Sequence, residues 1–88
     1  MPPPPLTSAQ IRAARALLRW SAEDLARHCP VSVTTIRRAE LTPSTTALTR
    51  VNDHVIRQAL EQAGVEFIDA DGGGPGARLR APPALKKI

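Results

Sequence analysis

Aromatic residues are nearly absent from this sequence: Trp20 and Phe67 are the only two, and there is no tyrosine. Hydrophobic residues make up 42% of the chain, but many of them are alanine, so its 88 residues provide little apolar surface to bury. Small aliphatic side chains suit closely packed helices better than a ligand cavity. We therefore expect one small helical domain, whose limited core favours a homodimer.

Cysteine and histidine are also scarce, which argues against metal and nucleophile chemistry. The single Cys29 excludes an internal disulfide and fits a reducing cytosol. With His28 beside it and His54 far along the chain, the ligands are too few and wrongly spaced for zinc. Neighbouring side chains on a helix diverge, so Cys29 and His28 do not predict a catalytic pair. We expect a buried structural thiol, no metal or cofactor, and no enzymatic activity.

Long hydrophobic runs are missing as well. No segment approaches the roughly 18 apolar residues of a membrane span, and the N-terminus has no signal-peptide core. We therefore expect a soluble, cytoplasmic protein with no membrane partner. Lys and Arg outnumber Asp and Glu by 12 to 8, and the sequence pI is near 10.6, which favours a polyanionic partner.

What the sequence does contain is a compact pair of helical patterns at residues 21–40, SAEDLARHCPVSVTTIRRAE. Ser21 is a good N-cap for the first helix. Pro30 ends that helix, because it lacks an N–H and its ring clashes with the preceding turn. Ser32 caps the second helix, which shows Ile36 toward the core and basic residues outward. Two helices joined by a tight turn, the second with a basic exposed face, are typical of a DNA-reading helix-turn-helix.

Several residues of this stretch stand at a characteristic spacing: Leu25-Ala26, Val31-Ser32, Thr35-Ile36-Arg37-Arg38 and Glu40. In this register they resemble the XRE/Cro-type helix-turn-helix. The segments 11–15 and 20–21, with the block GVEFIDADGGGPGARLR at 64–80, resemble more closely a small bacterial subgroup of XRE-type regulators. The resemblance covers roughly residues 6–80. It implies a lambda-repressor-like fold and a DNA ligand in the bacterial nucleoid.

Three positions depart from the pattern of this family. Pro30 stands where a glycine is usual, and proline cannot supply a positive φ, so a different turn is expected. Ala22 replaces a polar residue, often Gln, that contacts phosphate in the family. Ala39 replaces the usual Leu, which implies a thinner core.

The predicted fold is mainly α: a four- to five-helix bundle with a helix-turn-helix, followed by a short C-terminal β-hairpin. Its parts are a disordered proline-rich arm (1–6), the DNA-binding bundle (7–64), the hairpin (65–80) and a disordered basic tail (81–88).

The first and fourth helices have recognisable ends. Thr7 with Gln10 predicts a capping box at the start of the first helix. Thr42-Pro43, or Ser44, is predicted to begin a long fourth helix that ends at Gly64. The apolar band of the fourth helix is broad enough to cover the bundle and a second subunit, and an isolated hairpin is only marginally stable. We therefore predict a dimer interface that contains Val51, Val55, Ile56, Phe67 and Leu79.

The helix after Ser32 provides the candidate base-reading residues, which are Val33, Thr34, Arg37 and Arg38. The resemblance implies that Val33, Thr34 and Arg38 face base edges, where Arg can pair with guanine and methyl groups can meet thymine. Arg37 could pair with a base in the same way or hold a phosphate. The alternative for both arginines is that they form a solvated face. Trp20 is interpreted as a lid over the core, with base stacking as the alternative.

Phosphate contacts are predicted for a second group, with backbone N–H groups at helix starts assisting. This group contains Ser21, Ser32, Thr35, Arg12, Arg15 and Arg50. Capping alone would explain Ser21 and Ser32, and the arginines could be ordinary surface charges. Glu40 is interpreted as a structural residue that pairs near the end of its helix.

The function predicted from these residues is sequence-specific binding of double-stranded DNA, as a transcriptional regulator that represses by steric exclusion at a two-fold operator. The alternative is a protein-interaction module, or an antitoxin-like protein, whose fourth helix and hairpin bind a partner protein. Salt dependence separates the two, because counterion release weakens DNA binding steeply as salt rises.

Overall fold

A computed structural model of the protein describes residues 3–43, 45–70 and 72–80. This part of the chain forms four helices and one antiparallel hairpin: α1 (Ser8–Leu18), α2 (Ala22–His28), α3 (Val33–Leu41), α4 (Arg50–Gln62), β1 (Val65–Ile68) and β2 (Gly76–Leu79). The prediction of a mainly helical bundle with a C-terminal hairpin is confirmed at this level. Among the described residues, none of the helices has the length and apolar character needed to cross a bilayer.

Each helix begins at a hydroxyl side chain that accepts a hydrogen bond from the third residue of the helix. The four caps are Thr7, Ser21, Ser32 and Thr49, and the first two form complete capping boxes with Gln10 and Asp24. Three of these caps were predicted. A cap of this kind satisfies one of the N–H groups that a helix start leaves without a partner.

The predicted start of the fourth helix at Thr42-Pro43 or Ser44 is wrong, because α4 begins only at Arg50 after the Thr49 cap. Ala47 has a φ of 59°, and this left-handed conformation is incompatible with a continuous helix through that position. Thr45 also forms an isolated antiparallel bridge with Thr7, which holds the segment extended.

The core lies between the four helices, and α1 and α4 also pack against the hairpin. Its largest fully buried apolar side chains are Leu6, Ile11, Leu25, Ile36, Ile56, Leu60 and Val65. Because these are medium-sized aliphatics with no aromatic among them, the core is small, as the composition predicts.

Residues 3–6 differ from the expected disordered arm. Leu6 is only 1% exposed, and its N–H donates to Asp53 Oδ1 at 2.9 Å. The buried Arg57 donates to the Pro4 carbonyl at 2.7 Å. Prolines restrict the chain before it docks, so ordering this segment costs less conformational entropy. Residues 1 and 2 of the predicted arm, and the predicted basic tail 81–88, lie outside the described residues.

The residues predicted for a dimer interface have different surroundings. Ile56 is 0% exposed inside the protomer, so its place in that interface is wrong: this side of α4 faces the bundle. Val51 is 70% exposed and Leu79 36% exposed, while Val55 and Phe67 are half-buried. The guanidinium of Arg57 lies 5.4 Å from the centre of the Phe67 ring.

The side chain of Gln10 attaches the hairpin to α1. Its Oε1 accepts the N–H of Thr7, while its Nε2 donates to the carbonyls of Ile68 and Gly76 at 3.2 and 3.0 Å. Ile68 and Gly76 are paired across the hairpin, at the end next to the glycine-rich loop. One buried amide therefore caps a helix and holds the loop end of both strands.

We expect Gln10→Glu to lower the free energy of unfolding by about 1–3 kcal/mol at neutral pH, because a carboxylate oxygen would face two carbonyl oxygens. One oxygen still accepts from Thr7, so the cap survives. The new carboxyl should have a folded-state pKa above its unfolded value of about 4.3. The pH-dependent part of this loss is therefore absent below that pH and grows as pH rises through the folded-state pKa. Denaturant titrations across pH measure it.

The matched control is Gln58→Glu, which makes the same change at an exposed position of α4. This control should show little pH-dependent loss. Equal pH profiles for the two variants would contradict the role given to Gln10.

Candidate nucleic-acid interface

The connection between α2 and α3 consists of residues 29–32, and none of these four has a positive φ. Cys29 is extended, with φ −151° and ψ 156°, and its carbonyl accepts the N–H of Val31 at 2.9 Å. Pro30 is exposed at the bend. The chain thus reverses without the left-handed residue that a glycine would provide, as expected from Pro30.

Cys29 contributes to this turn through burial. Its Sγ lies 3.4 Å from the Leu25 carbonyl, as a weak donor. Burial raises the pKa of the thiol, and a backbone hydrogen bond from Val31 opposes the shift. The thiol is therefore neutral near pH 7, and the prediction of a buried structural cysteine is confirmed.

The two faces of α3 have opposite character. Ile36 and Ala39 are buried in the core, whereas Thr34, Arg37 and Arg38 are exposed. This separation follows from helical periodicity, since residues three apart share a face. Three of the four predicted base-reading residues thus lie at the surface of one short helix. The fourth, Val33, is half-buried and packs against the core.

Capping already engages the hydroxyls that were predicted to contact phosphate. Ser21 Oγ accepts the N–H of Asp24 at 3.0 Å. Ser32 Oγ accepts the N–H of Thr35 at 3.2 Å and lies 3.0 Å from Thr35 Oγ1. The structural interpretation of Ser21 and Ser32 is therefore correct, and any phosphate contact would be additional to it.

Arg15, predicted to contact phosphate, is occupied by partners inside the protein. Its Nε donates to Glu40 Oε2 and its Nη2 to Glu40 Oε1, both at 2.6 Å. Its Nη1 donates to the Trp20 carbonyl at 2.8 Å. The hydrogen bond with Glu40 raises the pKa of Arg15. Arg12, which is exposed, donates a further hydrogen bond to the Glu40 carbonyl. The expected pairing of Glu40 is confirmed.

Sequence reasoning missed one ion pair on the exposed side of the unit. Arg37 Nη2 donates to Glu23 Oε2, which joins α3 to the first turn of α2. The pKa of Glu23 is lowered, chiefly by a hydrogen bond from its own backbone N–H and then by the charge of Arg37. Fourteen residues separate the two partners, so no helical spacing could have indicated the pair.

The remaining candidates lie around these helices. Trp20 is half-buried against the core and stacks on His28, with ring centroids 4.2 Å apart and planes 19° from parallel. His28 therefore covers part of the aromatic surface that base stacking would need. Arg50 is the first residue of α4 and is exposed.

The described part of the chain brings no three His, Cys, Asp or Glu side chains together as a metal site would require. Comparison of the chain with protein-family models, curated proteins and solved structures finds no match.

We expect Glu40→Ala to lower the free energy of unfolding by about 2 kcal/mol, because it leaves the Arg15 guanidinium without its carboxylate. The loss stays below that of a fully buried pair, since Arg15 retains contact with solvent. Chemical denaturation measures the change. Glu66→Ala is the control, because it breaks an exposed pair with Arg78 on the hairpin. A similar shift in both variants would contradict the structural role of the Arg15–Glu40 pair.

Proposed function

We propose that the protein binds double-stranded DNA in a sequence-specific manner and regulates transcription by occupying promoter DNA. The observation that carries this proposal is the arrangement of α3, a short helix with Thr34, Arg37 and Arg38 exposed and Ile36 buried. It follows α2 after only four residues. A helix held in this way can enter the major groove while the preceding helix lies across the backbone.

In this proposal two exposed residues of α3, Thr34 and Arg38, have separate roles. Arg38 can donate two hydrogen bonds to O6 and N7 of a guanine, and the methyl of Thr34 can contact that of thymine. The half-buried Val33 offers a smaller apolar contact at the helix start. Ser32 and the first N–H groups of α3 lie where a phosphate oxygen would be favoured by the helix dipole.

The charge of the chain supports a polyanionic ligand. Its formal net charge is +4, and Arg12, Arg37, Arg38 and Arg50 are all exposed. Each phosphate that such a group neutralises releases counterions, which makes DNA affinity fall as salt rises. Arg15 is left out of this set because Glu40 and Trp20 occupy it.

As a dimer, the proposed regulator would recognise an operator with two-fold symmetry. The apolar side chains that support a dimer are Val51, which is 70% exposed on α4, Leu79, and the half-buried Val55 and Phe67. If two equivalent α3 helices read DNA, the half-sites lie about 10 bp apart or a multiple of that spacing.

A protein partner is the second candidate function, in an interaction module or an antitoxin-like protein. Leu41 favours it, since this large apolar side chain at the end of α3 is 83% exposed. DNA binding should weaken steeply between low and moderate salt, whereas an apolar protein contact should change little.

The first test passes sheared genomic DNA over the purified protein at moderate salt and sequences what is retained. An enriched inverted repeat supports the proposal and gives the half-site. Uniform retention indicates a non-specific basic protein, and no retention even at low salt favours the protein partner.

With the enriched duplex in hand, we expect Arg38→Ala to lose about 1–3 kcal/mol of discrimination at one base pair, as loss of a bidentate guanine contact would. Arg12→Ala serves as the control, because the loss of a phosphate contact weakens binding to all sequences about equally. Fluorescence anisotropy with matched and mismatched duplexes measures both. Equal loss of discrimination in the two variants would contradict the assignment.

Sedimentation equilibrium tests the proposed dimer. We expect Val51→Asp to raise the dimer dissociation constant at least tenfold, because a charge would be buried without a partner. Leu41→Asp is the control, because it changes another exposed apolar side chain, which lies outside the proposed interface. A wild-type monomer at all concentrations would exclude the dimer, and an unchanged constant in Val51→Asp would place the interface elsewhere.

A further inference from the structure

The ion pair between Glu23 and Arg37 lies on the surface that is proposed to meet DNA. Arg37 belongs to the second turn of α3 and Glu23 to the first turn of α2, and both side chains are exposed. The other exposed pair of this unit, Arg27 with Asp24, stays within α2. Of these two exposed pairs, only that of Glu23 fixes the direction of a side chain on α3.

A carboxylate at this position has an energetic cost for a DNA-binding surface. Glu23, whose pKa is lowered, is ionised at neutral pH, and a fixed negative charge repels the phosphates. It also competes with phosphate for Arg37, since phosphate and carboxylate bind a guanidinium with the same geometry. Glu23 should therefore reduce the affinity of the protein for DNA of any sequence.

The same contact leaves Arg37 able to bind a base. A guanidinium has five N–H donors, and the contact with Glu23 uses Nη2. An arginine that is already held loses less side-chain freedom when it binds, so a guanine at the correct position is favoured more strongly. A base without the matching acceptors gives no such gain.

From this geometry we infer that Glu23 is a specificity-determining positioning residue, which holds Arg37 toward one guanine and away from the phosphate backbone. The inference rests on the proposed DNA-binding function. It assigns to Arg37 a base contact that depends on α2 as well as α3, and to Glu23 a role without any contact to DNA.

The experiment is a set of parallel selections from a library of random-sequence duplexes, using the full chain. The variants are wild type, Glu23→Gln, Arg37→Ala and Glu66→Gln. Glu66→Gln is the matched control, because Glu66 forms an exposed pair with Arg78 on the hairpin and its replacement changes the net charge equally. Circular dichroism and thermal midpoints establish that all four proteins are folded.

We expect Glu23→Gln and Arg37→Ala to lose the preference for guanine at the same position of the selected motif, by about tenfold, which lies within the range of a bidentate contact. Glu66→Gln should keep the wild-type motif. On random-sequence duplexes, Glu23→Gln should bind more tightly than wild type. Its log–log salt slope should be steeper by about one unit, because the released Arg37 gains a phosphate contact.

Three outcomes would overturn the inference. If Arg37→Ala keeps the complete motif, Arg37 does not read a base. If Glu23→Gln keeps the motif that Arg37→Ala loses, Arg37 acts without Glu23. If Glu23→Gln and Glu66→Gln change binding equally, Glu23 contributes only its charge. Selection of no motif by the wild type is a different failure, because it removes the proposed function itself.

Discussion

The direction in which α3 presents its exposed face depends on Arg15. This guanidinium, projecting from α1, binds both carboxylate oxygens of Glu40 near the end of α3 and the Trp20 carbonyl just before α2. Three helices are thereby fixed by one planar group whose donors are arranged for bidentate contact. Ile36 and Ala39 bury the opposite side of α3, but such small apolar contacts are non-directional and leave its rotation less defined.

Directional bonds of this kind are needed because the core is small. With few large side chains to interlock, hydrophobic burial alone would specify the arrangement of helices poorly. Hydrogen bonds between segments distant in sequence help to specify this arrangement: Asp53 with the Leu6 N–H, Arg57 with the Pro4 carbonyl, and Gln10 with both strands. The described residues contain no buried side-chain nitrogen or oxygen without a hydrogen-bond partner. Such satisfied polar groups can specify a fold without the penalty that an unpaired group would carry.

The features that could be predicted from sequence are local ones. The caps at Thr7, Ser21 and Ser32, the break at Pro30 and the hairpin are all encoded within a few residues, so spacing reveals them. The start of α4 could not be predicted, because Pro43 and Ser44 are local helix-start signals as good as the Thr49 cap that the helix uses. The bridge that holds Thr45 extended is formed with Thr7, which is distant in sequence. The periodicity of α4 likewise marked Ile56 as apolar but could not show which apolar positions face the protomer's own core.

In the candidate site, too, local features could be predicted from sequence and contacts between distant residues could not. Helical periodicity was enough to place Thr34, Arg37 and Arg38 on the outer face of α3. It gave no means of distinguishing among arginines. Arg15 and Arg12 lie three residues apart on α1, yet Arg15 donates through three atoms, whereas the exposed Arg12 donates to the Glu40 carbonyl. The partner of an arginine depends on side chains brought together by folding, as Glu40 and Glu23 are here.

The two halves of the Gln10 amide connect the beginning of the described chain to its end. The strand carbonyls that Nε2 binds belong to residues 58 and 66 positions further along, whereas Oε1 caps the helix to which Gln10 itself belongs. A fluctuation that rotates this amide away breaks all three bonds in one motion. We therefore expect the first turn of α1 and the hairpin to open together in local unfolding. Amide hydrogen exchange at Thr7 and in the hairpin would share one opening event, which makes the order of the first helical turn dependent on strands that are synthesised well after it.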